Sequence, residues 1–109
     1  MADTLKVLGQ SNPLAATLTD IYTVPGSTSV TGSSITVANR SSTATSFRIS
    51  IAVAGAVDSD EQYIYYDIAI PGNETFTATL GITLAATDVV RVLATLATLS
   101  FNLFGVEVT

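Results

Sequence analysis

The sequence predicts an all-β fold, a single antiparallel β-sandwich of about seven to nine short strands in jelly-roll or immunoglobulin-like order. Apolar and polar residues alternate over several short stretches, which is the period of a strand with one buried face. Turn signals separate these stretches, above all Pro-Gly-Ser at 25–27 and Pro-Gly-Asn at 71–73. Threonine, whose branched Cβ favours strands, occurs 17 times in the 109 residues.

Residues 33–53 carry the clearest strand pattern in the chain. Ile35 and Val37 alternate with less apolar neighbours, so one face of the first strand is apolar. Residues 39–44 are mostly short and polar, and they predict a turn. The strand after this turn should pair antiparallel with the first, and its expected inward face is Phe47, Ile49, Ile51 and Val53.

The N-terminal part of the chain predicts two shorter strands, at 4–9 and 16–24. In the second of these, Leu18 and Ile21 fall on opposite faces unless a bulge intervenes. Residues 1–12 have an alternative role, as an N-terminal arm that reaches a neighbouring copy and covers its sheet edge.

Residues 63–70 predict a strand in the second half of the chain. Its expected inward face is Ile64, Tyr66, Ile68 and Ile70. Tyr63, Tyr65 and Asp67 would then lie on the outer face.

The remaining strands follow at short intervals. Residues 75–80 predict one strand with Phe76, Ala78 and Leu80 inward, and 81–87 predict a bend. The alanines and leucines of 84–96 are compatible with a helix, but its valines and threonines favour a strand. The final strand, at 97–104, should turn inward Leu99, Phe101 and Leu103.

Composition narrows the functional classes. The 109 residues predict one domain, 1–109. The absence of cysteine and histidine excludes disulfides, thiol catalysis, imidazole bases and the common zinc sites. Charged residues make up only 12% of the chain and hydrophobic residues 48%, with a mean hydropathy of +0.51. We therefore expect part of the surface to be buried against other copies or another protein.

Charge argues against a nucleic-acid partner. The net charge is −5, and a phosphate-binding protein needs a basic face. The scattered basic residues do not form one: they are Lys6, Arg40, Arg48 and Arg91. No membrane partner is expected either, because polar residues interrupt the most apolar stretch, 89–104. Residues 1–4 lack the pattern that begins a secretory signal.

Outward side chains of the predicted strands are the candidate interface residues. Tyrosines on an outer face offer apolar area with a polar tip, and they could also stack on a sugar. An arginine in the middle of a strand commonly pairs with a carboxylate. The candidate set is Tyr63, Tyr65, Asp67, Arg48 and Arg91. The carboxylates proposed as partners for the two arginines are Asp67 and Asp88.

No motif predicts catalysis, a metal or a cofactor. The densest acidic cluster is Asp58, Asp60 and Glu61, and calcium binds such oxygens. The further ligands and the central glycine of an EF-hand are missing, so we interpret this cluster as a solvated loop tip. Glycosylation-like triplets at 39–41 and 73–75 are interpreted as turns.

Several short motifs follow one another in a recognisable order. They are IYTVPG at 21–26, SITVAN at 34–39, Tyr66-Asp67, TDVVRV at 87–92 and an aromatic, glycine-ended strand at 101–105. In this order the chain, from about residue 19 onward, resembles the small β-sandwich proteins of tailed bacteriophage virions. The shared motifs specify turns and strands and include no catalytic centre.

The resemblance implies a non-enzymatic virion structural protein, made in the bacterial cytoplasm and located in the virion. The leading expectation is a capsid decoration or cement protein, a homo-oligomer and specifically a trimer, that clamps neighbouring major capsid subunits. One alternative is a module of the tail, collar or fibre that binds host carbohydrate. A third hypothesis, from another class, is a free carbohydrate-binding domain.

Overall fold

The computed structural model describes residues 2–109, which form eight strands joined by turns and loops. Two short 3₁₀ turns, Val53–Gly55 and Asp60–Gln62, lie in the one long connection between strands. The strands are β1 Asp3–Ser11, β2 Thr19–Thr23, β3 Ser29–Asn39, β4 Thr45–Ala52, β5 Tyr63–Ile70, β6 Thr75–Leu84, β7 Val89–Ala94 and β8 Leu99–Val108.

These eight strands form two antiparallel four-stranded sheets. The first sheet has the order β1-β8-β3-β6 and the second β2-β7-β4-β5. We call them the β1 sheet and the β2 sheet. Strands pair as in one long hairpin rolled over itself: β1 with β8, β2 with β7, β3 with β6 and β4 with β5. The predicted β-sandwich is confirmed, and of the two strand orders left open the structure has that of a jelly roll.

The core lies between the two sheets, where alternate residues of each strand point inward. Phe47 of the β2 sheet reaches across to the β1 sheet, with its ring centroid 5.1 Å from that of Phe76 and 6.0 Å from that of Phe101. The inward faces predicted for β3 and β8 are confirmed, since their members are fully buried: Ile35, Val37, Leu99, Phe101 and Leu103.

The prediction for β4 is only partly correct. Phe47 and Ile49 are buried as expected, but Val53 is 68% exposed because it has left the strand for a 3₁₀ turn. Ser50 and Ala52 are buried although they alternate with the inward residues. The connection 53–62 packs over them and covers part of the outer face of the β2 sheet.

The predicted inward face of β5 is wrong at its N-terminal half. Ile64 and Tyr66 are exposed, whereas Tyr65 packs against the core. The cause is a bulge in which both Tyr66 and Asp67 lie opposite Arg48. Asp67 adopts φ +52°, a left-handed conformation that aspartate tolerates better than most residues. Beyond the bulge the expected alternation resumes, and Ile68 and Ile70 point inward.

The prediction for residues 81–87 is wrong in part, because of a second bulge. We expected a bend there, but β6 continues to Leu84. Gly81, with φ +61°, provides the extra residue in the pairing with β3. The helix considered for 84–96 is not formed, since Val89–Ala94 is strand β7 and pairs with β2 and β4.

The N-terminal segment lies within its own sheet in this structure. Asp3–Ser11 pairs with β8 and forms one edge of the β1 sheet. The sequence left open a bulge in this region, and β2 contains one between Asp20 and Tyr22, which allows Ile21 and Tyr22 both to be buried.

A small polar cluster connects the two sheets beside β1. The Tyr22 hydroxyl donates to Glu107 Oε2 at 2.6 Å, and Lys6 Nζ lies 3.4 Å from Glu107 Oε1. The hydrogen bond from Tyr22, with a smaller effect from Lys6, holds the pKa of Glu107 below its ordinary value. Burial, with a smaller effect from Glu107, raises the pKa of Tyr22.

We expect this cluster to make stability decrease in both acid and alkali. The contribution of Glu107 is present above its unfolded pKa, about 4.3, and is lost as the pH falls through the lower folded value. The contribution of Tyr22 is present below its unfolded pKa, about 10, and is lost as the pH rises above that value. Urea denaturation at a series of pH values gives the free energy of unfolding as a function of pH. In acid this free energy should fall less steeply for Glu107→Gln than for wild type, and in alkali it should fall less steeply for Tyr22→Phe. Unchanged slopes would contradict this prediction.

Candidate functional site

The outer face of the β2 sheet carries one compact cluster of large side chains. We call Arg48, Tyr63, Tyr66 and Asp67 the tyrosine–arginine cluster. Arg48 Nε donates to Asp67 Oδ1 at 2.6 Å, and Arg48 Nη2 lies 3.3 Å from Oδ2. The guanidinium carbon sits 4.0 Å from the centre of the Tyr66 ring, a cation–π contact. Tyr63 meets the same ring edge-on, with centroids 5.2 Å apart.

The β5 bulge is what assembles this cluster. Because Tyr66 and Asp67 share one position opposite Arg48, the arginine can pair with the carboxylate and cover the ring at once. The hydrogen bond from Arg48 lowers the pKa of Asp67. Burial and a 3.0 Å hydrogen bond to Asp58 Oδ2 raise the pKa of Tyr63.

The structure separates the predicted interface residues into three groups. Arg48, Tyr63 and Asp67 come together on the outer face. Tyr65 does not join them: its ring faces inward, with its centroid 5.5 Å from that of Phe76, and its predicted outward position is wrong. Tyr66, 54% exposed, belongs to the cluster although the alternation placed it inward. The only sequence signal for the outward position of Tyr66 is the aspartate that follows it.

Arg91 has a structural role in the β2 sheet. Its Nε donates to Asp20 Oδ1 at 3.0 Å, so the partner proposed from the sequence, Asp88, is wrong. Arg91 Nη1 and Nη2 donate to the carbonyl oxygens of Ala56 and Gly55 at 2.8 and 3.3 Å. Arg91 therefore holds the connection 53–62 against the sheet, and the distances do not place it in the tyrosine–arginine cluster.

The ion pair of the cluster gives a testable titration. Because Arg48 lowers the pKa of Asp67, we expect the side-chain carbon resonance of Asp67 to titrate below the ordinary aspartate value of about 3.9. Arg48→Ala should move the midpoint upward, towards that value. A midpoint that Arg48→Ala leaves unchanged would contradict the pairing.

The outer face of the β1 sheet has a different character, because no charged side chain points outward from β8, β3 or β6. We call this surface the uncharged face. β1 borders it at one side, where Leu5, 80% exposed, and Val7, 45% exposed, point outward together with Asp3. The uncharged face consists of Ser100, Asn102, Phe104, Val106 and Val108 on β8, Ser29, Thr31, Ser34, Thr36 and Ala38 on β3, and Thr75, Thr77, Thr79 and Thr83 on β6.

Within residues 2–109, no group of three or more acidic side chains is arranged to hold a metal ion. In the predicted loop tip, Asp58 accepts a hydrogen bond from Tyr63, and Glu61 accepts one from Ser59. Two open surface depressions, of about 300 and 360 Å³, are lined mainly by small and polar residues.

The described part of the chain, 2–109, contains no helix with the length and apolar character needed to cross a membrane.

No protein-family model matches this chain, and no curated protein matches it. Function is therefore inferred from the two outer faces described above.

Proposed function

We propose that the chain is a non-enzymatic structural protein of a phage virion, made in the bacterial cytoplasm and incorporated into the particle. Its proposed role is that of a capsid decoration or cement protein, which binds the major capsid protein and other copies of itself. The observation that carries this proposal is the uncharged face. A trimer remains the expectation from the resemblance.

The uncharged face is unusual on a molecule with this charge. The chain has nine acidic and four basic residues, but none points outward from β8, β3 or β6. Burying a charge is costly unless it finds a partner, whereas a threonine methyl gains from burial and its hydroxyl can form a new hydrogen bond. This face is therefore the part of the sheet surfaces that another protein can cover at the lowest desolvation cost.

The size of this face suits a stable contact. Its three strands, spaced by about 4.8 Å, with about eight residues of 3.3 Å each, give a flat patch of roughly 380 Å². A standard interface removes roughly 800 Å² of accessible surface per partner, and accessible surface exceeds flat area. The exposed Leu5 and Val7 add apolar area at the margin.

The fold supports the same class of function by analogy. Jelly rolls occur in viral capsid proteins and in lectins, among others. Because one fold serves many functions, the strand order alone does not choose between them. The surface chemistry supports the structural role.

A carbohydrate-binding module of the tail, collar or fibre is the second candidate. The observation that favours it is Tyr66, a 54% exposed ring with an arginine above it, since exposed aromatic rings stack on sugars. In that case Tyr66→Ala should abolish glycan binding. The decoration role predicts no measurable affinity for soluble glycans, and the free carbohydrate-binding domain predicts affinity without any place in the virion.

Heat stability of the shell tests the leading proposal. Capsids prepared without the chain should rupture at a lower temperature than complete capsids, and addition of the purified chain should restore the difference. Thr36→Lys places a charge in the middle of the uncharged face and should prevent this restoration. Ala69→Lys places the same charge on the outer face of the β2 sheet and should leave it intact. The proposal fails if the wild-type chain does not bind the capsid.

A further inference from the structure

The four edge strands of the sandwich differ in how they are protected against pairing with another chain. Proteins usually protect an edge with bulges, charges, proline or a short strand. β2 has only five residues and a bulge, β5 has two register shifts, and β1 has a bulge and carries Asp3 and Lys6. β6 has a bulge at Gly81, but its residues 75–79 pair with β3 in regular register and contain neither a charge nor a proline.

We propose that β6 pairs antiparallel with β6 of a second copy, about a two-fold axis at Thr77. This pairing would join two β1 sheets into one continuous eight-stranded sheet. The inference deepens the proposed function, on which its biological meaning rests, by naming the contact through which the chain binds itself.

The sequence of β6 is complementary to itself in this register. Thr77 lies opposite its own counterpart, and Thr75 lies opposite Thr79 of the second copy. Threonine pairs directly opposite each other stabilise antiparallel strands. On the inner face Phe76 lies opposite Ala78, so each large side chain has a small neighbour across the axis.

The pairing would also cover apolar surface that the single chain leaves partly exposed. At the side of the sandwich where β5 and β6 lie, the rings of Tyr65 and Phe76 touch, with centroids 5.5 Å apart. Further half-buried apolar residues pack against the core there, namely Ile68, Ala78 and Leu80. A second copy at β6 would remove much of this surface from water.

Electrostatic repulsion is weak in the proposed register. Glu74, immediately before β6, is the acidic residue nearest in sequence to residues 75–80. Two copies of Glu74 would lie six residues apart along the paired strands, or roughly 20 Å. This distance exceeds the Debye length of about 8 Å at physiological salt.

Two-fold pairing has a consequence for assembly size. A contact between identical surfaces closes after two copies. It therefore favours a dimer, or an assembly built from dimers, over the trimer expected from the resemblance. The uncharged face remains free on such a dimer and continues across both copies.

Single-cysteine cross-linking tests the proposal sharply, because the chain has no cysteine of its own. Facing residues of an antiparallel pair have Cα atoms about 4.5–5.5 Å apart, within the range for a disulfide. Thr77→Cys should therefore give a disulfide-linked dimer under mild oxidation. Thr79→Cys should not, because its counterpart would lie four residues away, or roughly 13 Å.

Thr36→Cys is the matched control. Thr36 lies on the neighbouring strand β3, pairs with Thr77 of β6 and points outward from the same face. Its counterpart would lie three strand spacings away, or roughly 14 Å. We expect Thr77→Cys to cross-link at least about tenfold faster than Thr36→Cys, since only the first pair satisfies disulfide geometry.

Equal rates for these two variants would overturn the proposal, as would a wild-type chain that sediments as a monomer at the concentration used. Faster cross-linking of Thr79→Cys than of Thr77→Cys would overturn the proposed register. Thr77→Lys, which places like charges opposite each other, should convert the dimer to a monomer that is still folded. Capsid binding by that monomer would separate failure of the edge contact from failure of the proposed function.

Discussion

Phe47→Ala should lower the free energy of unfolding by about 3–5 kcal/mol, the largest effect we expect from a single substitution in this chain. Phe47 is fully buried, and its ring contacts those of Phe76 and Phe101 in the opposite sheet. Truncation removes the apolar transfer energy of the ring and leaves a cavity between the sheets. The free energy of unfolding of such a domain is about 5–15 kcal/mol in total, so the variant should lose a large part of its stability.

Phe104→Ala is the matched control for this prediction. Phe104 is also a phenylalanine in a strand, but it points outward on the uncharged face and is only half-buried. We expect its truncation to cost less than about 1 kcal/mol. Both values follow from urea denaturation at one pH. Equal losses for the two variants would show that the ring of Phe47 is not at the centre of the core.

Asp88→Ala should lower the free energy of unfolding by about 2 kcal/mol, because two backbone donors lose their acceptor. Asp88 is buried at the start of β7, where Oδ1 accepts from the backbone nitrogen of Ala54 and Oδ2 from that of Ala85, each at 2.9 Å. The side chain thus ties the end of β4 to the connection between β6 and β7.

Asp88→Asn separates the hydrogen bonds from simple packing. The amide has the same shape but keeps only one acceptor oxygen. The free energy of unfolding of Asp88→Asn should therefore lie between those of wild type and Asp88→Ala. Asp58→Ala, in the exposed connection 53–62, is the control for removal of an acidic residue and should cost little. An Asp88→Ala variant as stable as Asp58→Ala would contradict the assigned hydrogen bonds.

The sequence predicted the fold wherever strand register is regular. In β8 the alternation of Leu99, Phe101 and Leu103 is uninterrupted, so the pattern alone identifies the inward face. It failed in β5, where the bulge at the left-handed Asp67 and a second register shift at Ile64 change the faces of Ile64, Tyr65 and Tyr66. A bulge depends on the partner strand, and a single sequence does not contain that information.

The candidate site was predictable to the same extent. Asp67 was one of the two carboxylates proposed as arginine partners, because a mid-strand arginine commonly pairs with a carboxylate, and it does pair with Arg48. Tyr66 and the Arg91–Asp20 pair were missed, because the first depends on the bulge and the second on the pairing of β2 with β7. Asp88 was assigned to the wrong partner because a short side chain just before a strand finds backbone donors first.

The uncharged face required the strand order as well as the sequence. Its threonines come from β3 and β6, and its apolar residues from β8, so it forms only when these strands are neighbours. Low charge predicted that some surface would be buried, but not which surface. The β6 edge likewise becomes recognisable only when the other three edges are known to be protected.

The number of copies of this chain in each purified virion tests the central claim most directly. Quantitative gel densitometry against the major capsid protein gives this ratio, with purified chain as the calibration standard. A decoration protein that covers the shell predicts a ratio near one to one. Absence from purified particles would contradict a virion role altogether, and a few copies per particle would contradict the decoration role in favour of the tail, collar or fibre.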